Sequence, residues 1–207
     1  MITTLIFDLG GVVLKHSRTI QSDILKEMFP EDQEEILRIW EEFKNPLTIG
    51  TETIEQFLQR VQLSIHTSYT VAQLKEQLAA HYKDRTVVDR ELLELVDRLR
   101  NAYETVLFTD TIALHHAVNT TRHIFEHFDK MYTSFEERIS KVEGKRAFAY
   151  LLRKINKDPE ECLVVDDREE NILAAGQLRI KGIVYNNTLQ LQKELTSNGI
   201  LLNSYGR

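Results

Sequence analysis

The sequence predicts an α/β protein: a Rossmann-like parallel sheet, covered by helices on both faces, with a small all-helical cap inserted after the first strand. From Val87 onward, short apolar segments alternate with segments of helical periodicity, which is typical of a parallel sheet. Between the first apolar segment and Val87, residues 16–83 show only helical spacing. With 207 residues, of which 42% are hydrophobic, the chain can bury one substantial core and a small second unit.

The insert is predicted to contain three or four helices. Its apolar residues recur at intervals of three and four, as Ile36 and Ile39 do, which is the spacing of a helix with one buried face. Proline lacks a backbone N–H and glycine tolerates left-handed backbone, so both end helices. Pro30, Pro46 and Gly50 are therefore predicted to separate the helices of the insert.

Beyond the insert, strands and helices alternate. A parallel sheet gathers the carboxyl ends of its strands at one edge, where ligands bind in open α/β folds. An insert after the first strand lies over that edge, so we expect it to act as a lid. The predicted domains are a core of residues 1–15 and 84–207 and a cap of residues 16–83. The predicted core elements are strand Thr4–Phe7, helix Leu92–Leu99, strand Thr105–Phe108, a helix from Ala113, strand Met131–Thr133, helix Ala147–Ile155, strand Leu163–Val165, helix Asn171–Leu178 and strand Gly182–Tyr185.

The composition of the chain limits the kinds of molecule that the protein is expected to bind. A net charge of −6 argues against broad binding of nucleic acids or anionic membranes. No segment reaches the length of apolar residues needed to cross a bilayer, and the N-terminus has no basic leader. The single cysteine, Cys162, excludes an internal disulfide and fits a reducing compartment. We therefore expect a cytoplasmic monomer or homodimer whose ligand is a small molecule.

Charged and hydroxyl side chains collect where the predicted strands end. Asp8 follows the first strand, Thr109-Asp110 follows the next, Ser140-Lys141 precedes a helix, and Asp166-Asp167 ends a later strand. Carboxylate oxygens at one sheet edge suit Mg²⁺, and a lysine with a hydroxyl suits phosphate oxygens. The set predicts phosphoryl transfer, with a carboxylate as the nucleophile.

These residues resemble the motifs of the haloacid dehalogenase (HAD) superfamily. The first motif is similar to Phe7-Asp8-Leu9-Gly10-Gly11, the second to Phe108-Thr109-Asp110-Thr111, and the fourth to Val165-Asp166-Asp167 with Asn171. Within the superfamily, the Asp-Leu-Gly sequence resembles phosphatases of the α-D-glucose-1-phosphatase type. The resemblance spans essentially the whole chain.

The resemblance implies a role for each matching position. Asp8 would be the nucleophile that forms an aspartyl-phosphate, with Thr109 and Lys141 as its catalytic partners. A Mg²⁺ ion would be held by Asp8, Asp166, Asp167 and the carbonyl of Gly10. The implied phosphate-binding residues are Leu9, Gly10, Thr109, Asp110 and Lys141.

Four positions depart from the pattern of the superfamily, of which one, the doubled aspartate Asp166-Asp167, is shared by many relatives. The acid that usually follows the nucleophile by two residues is Gly10 here, and His16 is the nearest candidate to replace it. Asp110 stands where asparagine is usual, and its charge would oppose phosphate binding unless it faces a cation. The lysine of the third motif is usually followed by proline, whereas Val142 follows Lys141, so Lys145 is an alternative phosphate ligand.

The predicted function is therefore a Mg²⁺-dependent phosphatase that acts on a small phosphorylated metabolite such as a sugar phosphate. Two alternatives stay open. The departures at Gly10, Asp110 and Val142 would fit an impaired HAD-like protein that only binds a phosphate ligand or a partner. A metal-independent C–halogen hydrolase would keep Asp8 and Lys141 but would not need the acid pair Asp166-Asp167.

Overall fold

The computed structural model describes residues 1–65 and 67–201. Its centre is a sheet of five parallel strands in the order β5-β4-β1-β6-β7. The strands of this sheet are β1 (Thr4–Phe7), β4 (Glu104–Thr109), β5 (Lys130–Thr133), β6 (Cys162–Asp166) and β7 (Lys181–Val184), and two short strands, β2 (Leu14–Lys15) and β3 (Val87–Val88), pair separately.

Helices account for most of the remaining chain. They are α1 (Ile20–Met28), α2 (Gln33–Thr48), α3 (Ile54–Ser64), α4 (Val71–Arg85), α5 (Arg90–Leu99), α6 (Ala113–Thr120), α7 (Ser134–Glu137), α8 (Lys145–Ile155), α9 (Glu169–Gly176) and α10 (Thr188–Ser197).

The central strand β1 alternates its side chains between two apolar cores. Leu5 and Phe7 face a core that contains the buried leucines of α5 and α10. Ile6 faces the opposite core, which contains the buried residues of α8 and α9. Alternation of this kind follows from the two-residue period of a strand, and it requires helices on both faces of the sheet. The predicted α/β fold class is therefore confirmed.

Helices α1–α4 bury a third apolar core of their own. Phe57 and Leu58 of α3 are fully buried in it, and Trp40 packs edge-on against Phe57 with ring centroids 5.8 Å apart. Capping boxes begin α3 at Thr53 and α4 at Thr70, where each threonine accepts a hydrogen bond from a backbone N–H of the first turn. This four-helix unit is the helical cap expected from the insert.

A two-stranded antiparallel ribbon joins the cap to the sheet. Strand β2 enters the cap and β3 leaves it, with Leu14 paired to Val88 and Lys15 paired to Val87. The chain thus returns beside its point of entry. The predicted domain boundaries, 1–15 and 84–207 against 16–83, lie next to this ribbon and stay a prediction.

Three predictions of local structure were wrong or incomplete. Pro46 does not separate two helices, because it lies inside α2, in its last turn. Strands β2 and β3 are not predicted from the sequence, because two residues are too few for a periodic signal. Helix α10 is not predicted either, although Leu191 and Leu195 have helical spacing and Asn187 caps the helix by accepting from Gln190 N.

None of the helices in the described part of the chain is both long and apolar enough to span a bilayer.

Candidate active site

The predicted site residues meet at the carboxyl edge of the sheet. Asp8 follows β1, Thr109 is the last residue of β4, and Asp166 is the last residue of β6. Because β4, β1 and β6 are adjacent and parallel, their carboxyl ends are neighbours. The sheet therefore positions the predicted nucleophile between the second and fourth motifs.

Lys141 lies at the centre of this edge. It begins a 3₁₀ turn, Lys141–Glu143, that precedes α8. Its ammonium nitrogen lies 2.8 Å from Asp8 Oδ1 and 2.7 Å from Asp166 Oδ2, and the lysine side chain is only 4% exposed. Lys145, the alternative ligand, is instead exposed at the start of α8. The structure thus brings Lys141, and not Lys145, to the predicted nucleophile.

Burial and charge act in opposite directions on this cluster. Burial raises the pKa of the Asp8 carboxyl and the Asp166 charge adds to the rise, while Lys141 opposes it. Burial by itself would lower the pKa of the Lys141 ammonium, but the charges of Asp8, Asp166 and Asp110 raise it above its usual range. Lys141 is therefore a fixed positive charge and a poor proton donor.

Three carboxylates converge beside the lysine. Asp8, Asp166 and Asp167 each offer one oxygen, and these oxygens all lie within 4.8 Å of one another. Asn171 Nδ2 donates to both oxygens of Asp166 at 3.0 Å, which fixes the orientation of that carboxylate. A set of clustered carboxylate oxygens with incomplete charge compensation fits a hard divalent cation such as Mg²⁺.

Gly11 permits the close approach of the third carboxylate. Its φ of +77° is a left-handed conformation, and a Cβ atom there would overlap the carboxyl group of Asp167. The glycine after Gly10 is therefore required for two reasons, its backbone conformation and the space that Asp167 occupies.

Asp110 points its carboxylate at the segment that carries Lys141. Its oxygens accept from Ser140 Oγ at 2.7 Å and from the backbone N–H of Lys141 at 3.0 Å. The added charge that the sequence analysis considered unfavourable is thus balanced by protein donors and by the nearby ammonium. Its predicted contact with phosphate stays a prediction.

Thr109 and Leu9 are buried beside the same edge. Thr109 is 1% exposed and Leu9 is 3% exposed, so their side chains are enclosed by the fold. The Leu9 backbone N–H is hydrogen-bonded to the Asp8 carboxyl group. These positions are consistent with backbone and hydroxyl contacts to a ligand, and their roles in phosphate binding stay predictions.

A cavity of about 280 Å³ opens directly onto the cluster. Its wall includes Arg18 and Arg168, which the sequence analysis did not single out. Arg18 lies between β2 and α1, and its Nη2 donates to Asp167 Oδ2 at 3.2 Å. No periodic or motif signal could have identified Arg18, because its partner is 149 residues away. The residues that line the cavity are Asp8, Gly10, Gly11, His16, Arg18, Asp110, Lys141, Asp167, Arg168 and Asn171.

His16 covers the glycine that replaces the usual acid. Its Nε2 atom lies 3.1 Å from the position that a Cβ atom would take at Gly10. Its other ring nitrogen, Nδ1, lies 2.8 Å from the carbonyl oxygen of Ser17. An Nδ1–H that donates to this carbonyl leaves Nε2 directed toward the space above Gly10. The imidazole thus occupies the side of the cavity where a side chain at position 10 would begin.

A second cavity, of about 260 Å³, lies between the cap and α6. Its wall is mostly apolar, with Leu47, Ile112 and Phe135 among the contributing residues. None of the predicted site residues lines it. The predicted site residues that face a cavity therefore face the one above Asp8.

Comparison with known proteins identifies the family of this chain. The sequence profile of a hydrolase family, the haloacid dehalogenase-like hydrolases, matches residues 2–179. The chain belongs to the haloacid dehalogenase-like hydrolase family. No curated protein matches this HAD-like hydrolase in sequence. The narrower resemblance to α-D-glucose-1-phosphatases stays a prediction.

Solved structures share the fold of the HAD-like hydrolase. A HAD family enzyme from Bacteroides thetaiotaomicron, in complex with magnesium and inorganic phosphate, has a TM-score of 0.77 at 22% identity, covering 92% of this chain and 99% of that one. A predicted HAD-like family hydrolase from Porphyromonas gingivalis has a TM-score of 0.75 at 23% identity, covering 96% and 98%. The L-2-haloacid dehalogenase of Xanthobacter autotrophicus, with chloropropionic acid covalently bound, has a TM-score of 0.59 at 13% identity, covering 97% and 85%.

Proposed function

We propose that the chain is a cytoplasmic Mg²⁺-dependent phosphatase that hydrolyses a small phosphorylated metabolite through an aspartyl-phosphate on Asp8. The observation that carries the proposal is the convergence of the Asp8, Asp166 and Asp167 carboxylates, two of which, Asp8 and Asp166, also pair with the Lys141 ammonium. A lone carboxylate would be enough for a nucleophile. The two further acids are explained best by a cation beside it.

The residues that would hold Mg²⁺ are Asp8, Asp166, Asp167 and the backbone carbonyl of Gly10. All of these ligands are oxygens, as this hard cation prefers. When bound, the ion would offset the repulsion between the anionic substrate and the carboxylates.

Asp8 would act as the nucleophile in the first of two displacements and as the leaving group in the second. In the first, an Asp8 carboxylate oxygen attacks phosphorus, the bond from phosphorus to the ester oxygen breaks, and the ester oxygen takes a proton from water or a nearby acid and leaves as the alcohol. In the second, water attacks phosphorus and gives up a proton to solvent, the bond from phosphorus to the Asp8 oxygen breaks, and inorganic phosphate and the Asp8 carboxylate are released. Two easier steps replace one difficult displacement.

Lys141 and Thr109 would bind the phosphoryl oxygens during both steps. The buried ammonium of Lys141 is held by two carboxylates and needs no reorganisation to meet developing negative charge. The left-handed backbone at Gly11 bends the loop that follows Asp8, as in other loops that bind anions. Preorganised charge of this kind stabilises the transition state more than the ground state.

Two observations support a small, highly polar substrate. Every side chain of the cavity wall is polar or absent, because the lining consists of charged residues, His16, Asn171 and glycines. A structural relative from Bacteroides thetaiotaomicron was solved with magnesium and inorganic phosphate. Sugar phosphates are thus the first compounds to test.

The experiment measures phosphate release from a panel of sugar phosphates and other small esters, with Mg²⁺ or with EDTA. We expect metal-dependent release by the wild type and none by Asp8→Asn, which keeps the shape of the side chain. Asp97→Asn is the matched control, because Asp97 is exposed and pairs with His127 at 2.9 Å.

The two alternatives give different results in the same assay. Silence across the panel by folded wild-type protein would contradict the proposal and favour a phosphate-binding protein without turnover. Release of chloride from 2-chloropropionate in EDTA would favour a C–halogen hydrolase, the activity class of the Xanthobacter relative.

A further inference from the structure

Asp110 connects two segments that meet beside the nucleophile. It follows β4, and its carboxylate Oδ2 accepts from Ser140 Oγ at 2.7 Å. The same carboxylate accepts from the backbone N–H of Lys141, at 3.0 Å to Oδ1 and 3.2 Å to Oδ2. A carboxylate that receives hydrogen bonds from both residues fixes the position of the peptide between them.

Ser140 extends this connection by one residue. While its hydroxyl donates to Asp110, its oxygen accepts from the backbone N–H of Val142 at 3.2 Å. The superfamily pattern usually has proline at the position of Val142, where a ring would restrict φ and remove this N–H. In this chain the valine N–H is instead bonded to Ser140, and hydrogen bonds hold the turn that a proline would restrict.

The turn requires such support. It has only three residues, and Gly144 follows it with a φ of +60°, so little regular structure holds its backbone. Lys141 reaches from this turn to Asp8 and Asp166 on a side chain with four rotatable bonds, whose ordering is costly in entropy. A shift of the turn would therefore move the ammonium away from one or both carboxylates.

We propose that Asp110 is a positioning residue that holds the Ser140–Lys141 peptide in place and thereby directs the Lys141 ammonium at Asp8 and Asp166. This inference rests on the proposed function, since it assigns Asp110 an indirect role in phosphate binding. It also accounts jointly for two departures from the superfamily pattern, the acid at 110 and the valine at 142.

The test compares Asp110→Asn with the wild type. The amide keeps the size of the side chain but has one acceptor oxygen, and its NH₂ group cannot accept from Ser140 or Lys141. We expect kcat/KM for phosphate esters and the affinity for inorganic phosphate to fall by about 10- to 100-fold, as for other residues that orient a ligand from behind. Ser140→Ala should also lower kcat/KM and the affinity for inorganic phosphate. Ser140→Thr, which keeps the hydroxyl, should restore both to near the wild-type values.

A double-mutant cycle separates positioning from general destabilisation. If Asp110 acts through Lys141, Asp110→Asn lowers phosphate affinity in the wild type but causes no further loss in a Lys141→Met background. Asp129→Asn is the matched control, since Asp129 accepts from the Thr105 backbone N–H at 2.8 Å, at the other end of the sheet. It should lower stability and leave phosphate affinity unchanged.

A crystal structure of Asp110→Asn tests the inference without relying on activity. Displacement of the Lys141 ammonium from Asp8 or Asp166 would support it. Retention of both contacts, or an equal loss of phosphate affinity in the two backgrounds, would overturn it. If the wild type neither hydrolyses esters nor binds phosphate, the proposed function fails, and the crystal structure alone decides the role of Asp110.

Discussion

The ammonium nitrogen of Lys141 lies 2.8 Å from Oδ1 of Asp8, although 133 residues separate them in the chain. Both side chains are more than 90% buried. A buried ion pair is costly to desolvate, and it persists only where geometry and further partners compensate. Here Asp166 provides the second partner of the lysine. The ion pair between Lys141 and Asp8 is therefore stabilised by the surrounding site, and it is the first target for mutation.

Lys141→Met should abolish measurable phosphatase activity and lower the free energy of unfolding by about 3 kcal/mol, because two buried carboxylates lose their partner. Lys145→Met should change neither, since Lys145 is exposed. Steady-state kinetics and urea unfolding of both variants check this. Activity that is retained by Lys141→Met and lost by Lys145→Met would show that Lys145, and not Lys141, is the phosphate lysine.

Mg²⁺ should stabilise the wild type in the absence of any substrate. At a concentration 100 times its Kd, a ligand specific for the native state adds about 2.7 kcal/mol to the free energy of unfolding. Asp167→Asn removes one of the three clustered carboxylates and should reduce this gain sharply, whereas the exposed variant Asp97→Asn should retain it. Thermal unfolding with Mg²⁺ and with EDTA measures the effect. The absence of a shift in the wild type would argue against the cation site.

Gly11→Ala should lower activity about tenfold or more, because the new methyl group displaces the Asp167 carboxylate. Gly199→Ala provides the comparison. Its φ of +79° carries the same backbone penalty of about 1 kcal/mol, but no atom lies within 4 Å of the added methyl group. If kcat/KM changes equally in both variants, backbone strain and not the displaced carboxylate is responsible.

His16→Ala should affect substrates according to their leaving groups. A hydrogen bond from the imidazolium, which carries an N–H on both ring nitrogens, to the ester oxygen helps a poor leaving group such as an alkoxide. Its loss costs about 1.5–3 kcal/mol, or roughly 10- to 150-fold in rate. Nitrophenolate needs no such help. We expect kcat to fall for glycerol phosphate and to stay nearly constant for p-nitrophenyl phosphate. A uniform decrease for both esters would indicate a role in binding instead.

His115 should make the protein less stable in acid. Its ring stacks on Tyr82 with centroids 3.7 Å apart, and its Nε2 is paired with Gln21 Oε1 at 2.9 Å. Burial lowers the pKa of His115 to about 3, and the nearby His16 adds to the decrease. Between pH 6.5 and 3 the unfolded chain thus binds a proton that the folded chain does not, so stability falls as pH falls through this range.

His115→Phe isolates this contribution, since phenylalanine can keep the stacking on Tyr82 but cannot be protonated. Between pH 7 and pH 4.5, we expect the free energy of unfolding to fall by about 1 kcal/mol less in the variant than in the wild type. The expected difference is this small because His115 retains some exposure to solvent. Urea unfolding at the two pH values measures the difference. If the free energy of unfolding falls equally in the wild type and in His115→Phe, the acid sensitivity comes from the carboxylates and not from His115.

The sequence predicted the fold because its signals are local. All five strands of the sheet, among them the central β1, were anticipated within one residue at each end, since a buried parallel strand is a short apolar segment between breakers. Asp8 and Asp166 could be identified for the same reason, because each follows or ends such a segment. Pro46 was misjudged because a proline in the last turn of a helix disrupts few backbone hydrogen bonds.

The sequence by itself determined the α/β class, the helical insert and the residue types that collect at the strand ends. Tertiary structure alone decided which of them meet. Only the tertiary structure shows that Lys141, and not Lys145, reaches the nucleophile, because the turn that carries Lys141 is held by Asp110, 31 residues away. Likewise, Arg18 belongs to the cavity wall only because it pairs with Asp167. Periodicity reports which face of an element is buried, whereas contacts between distant side chains depend on how the elements pack. That packing is why the wall of the site could not be read from local patterns.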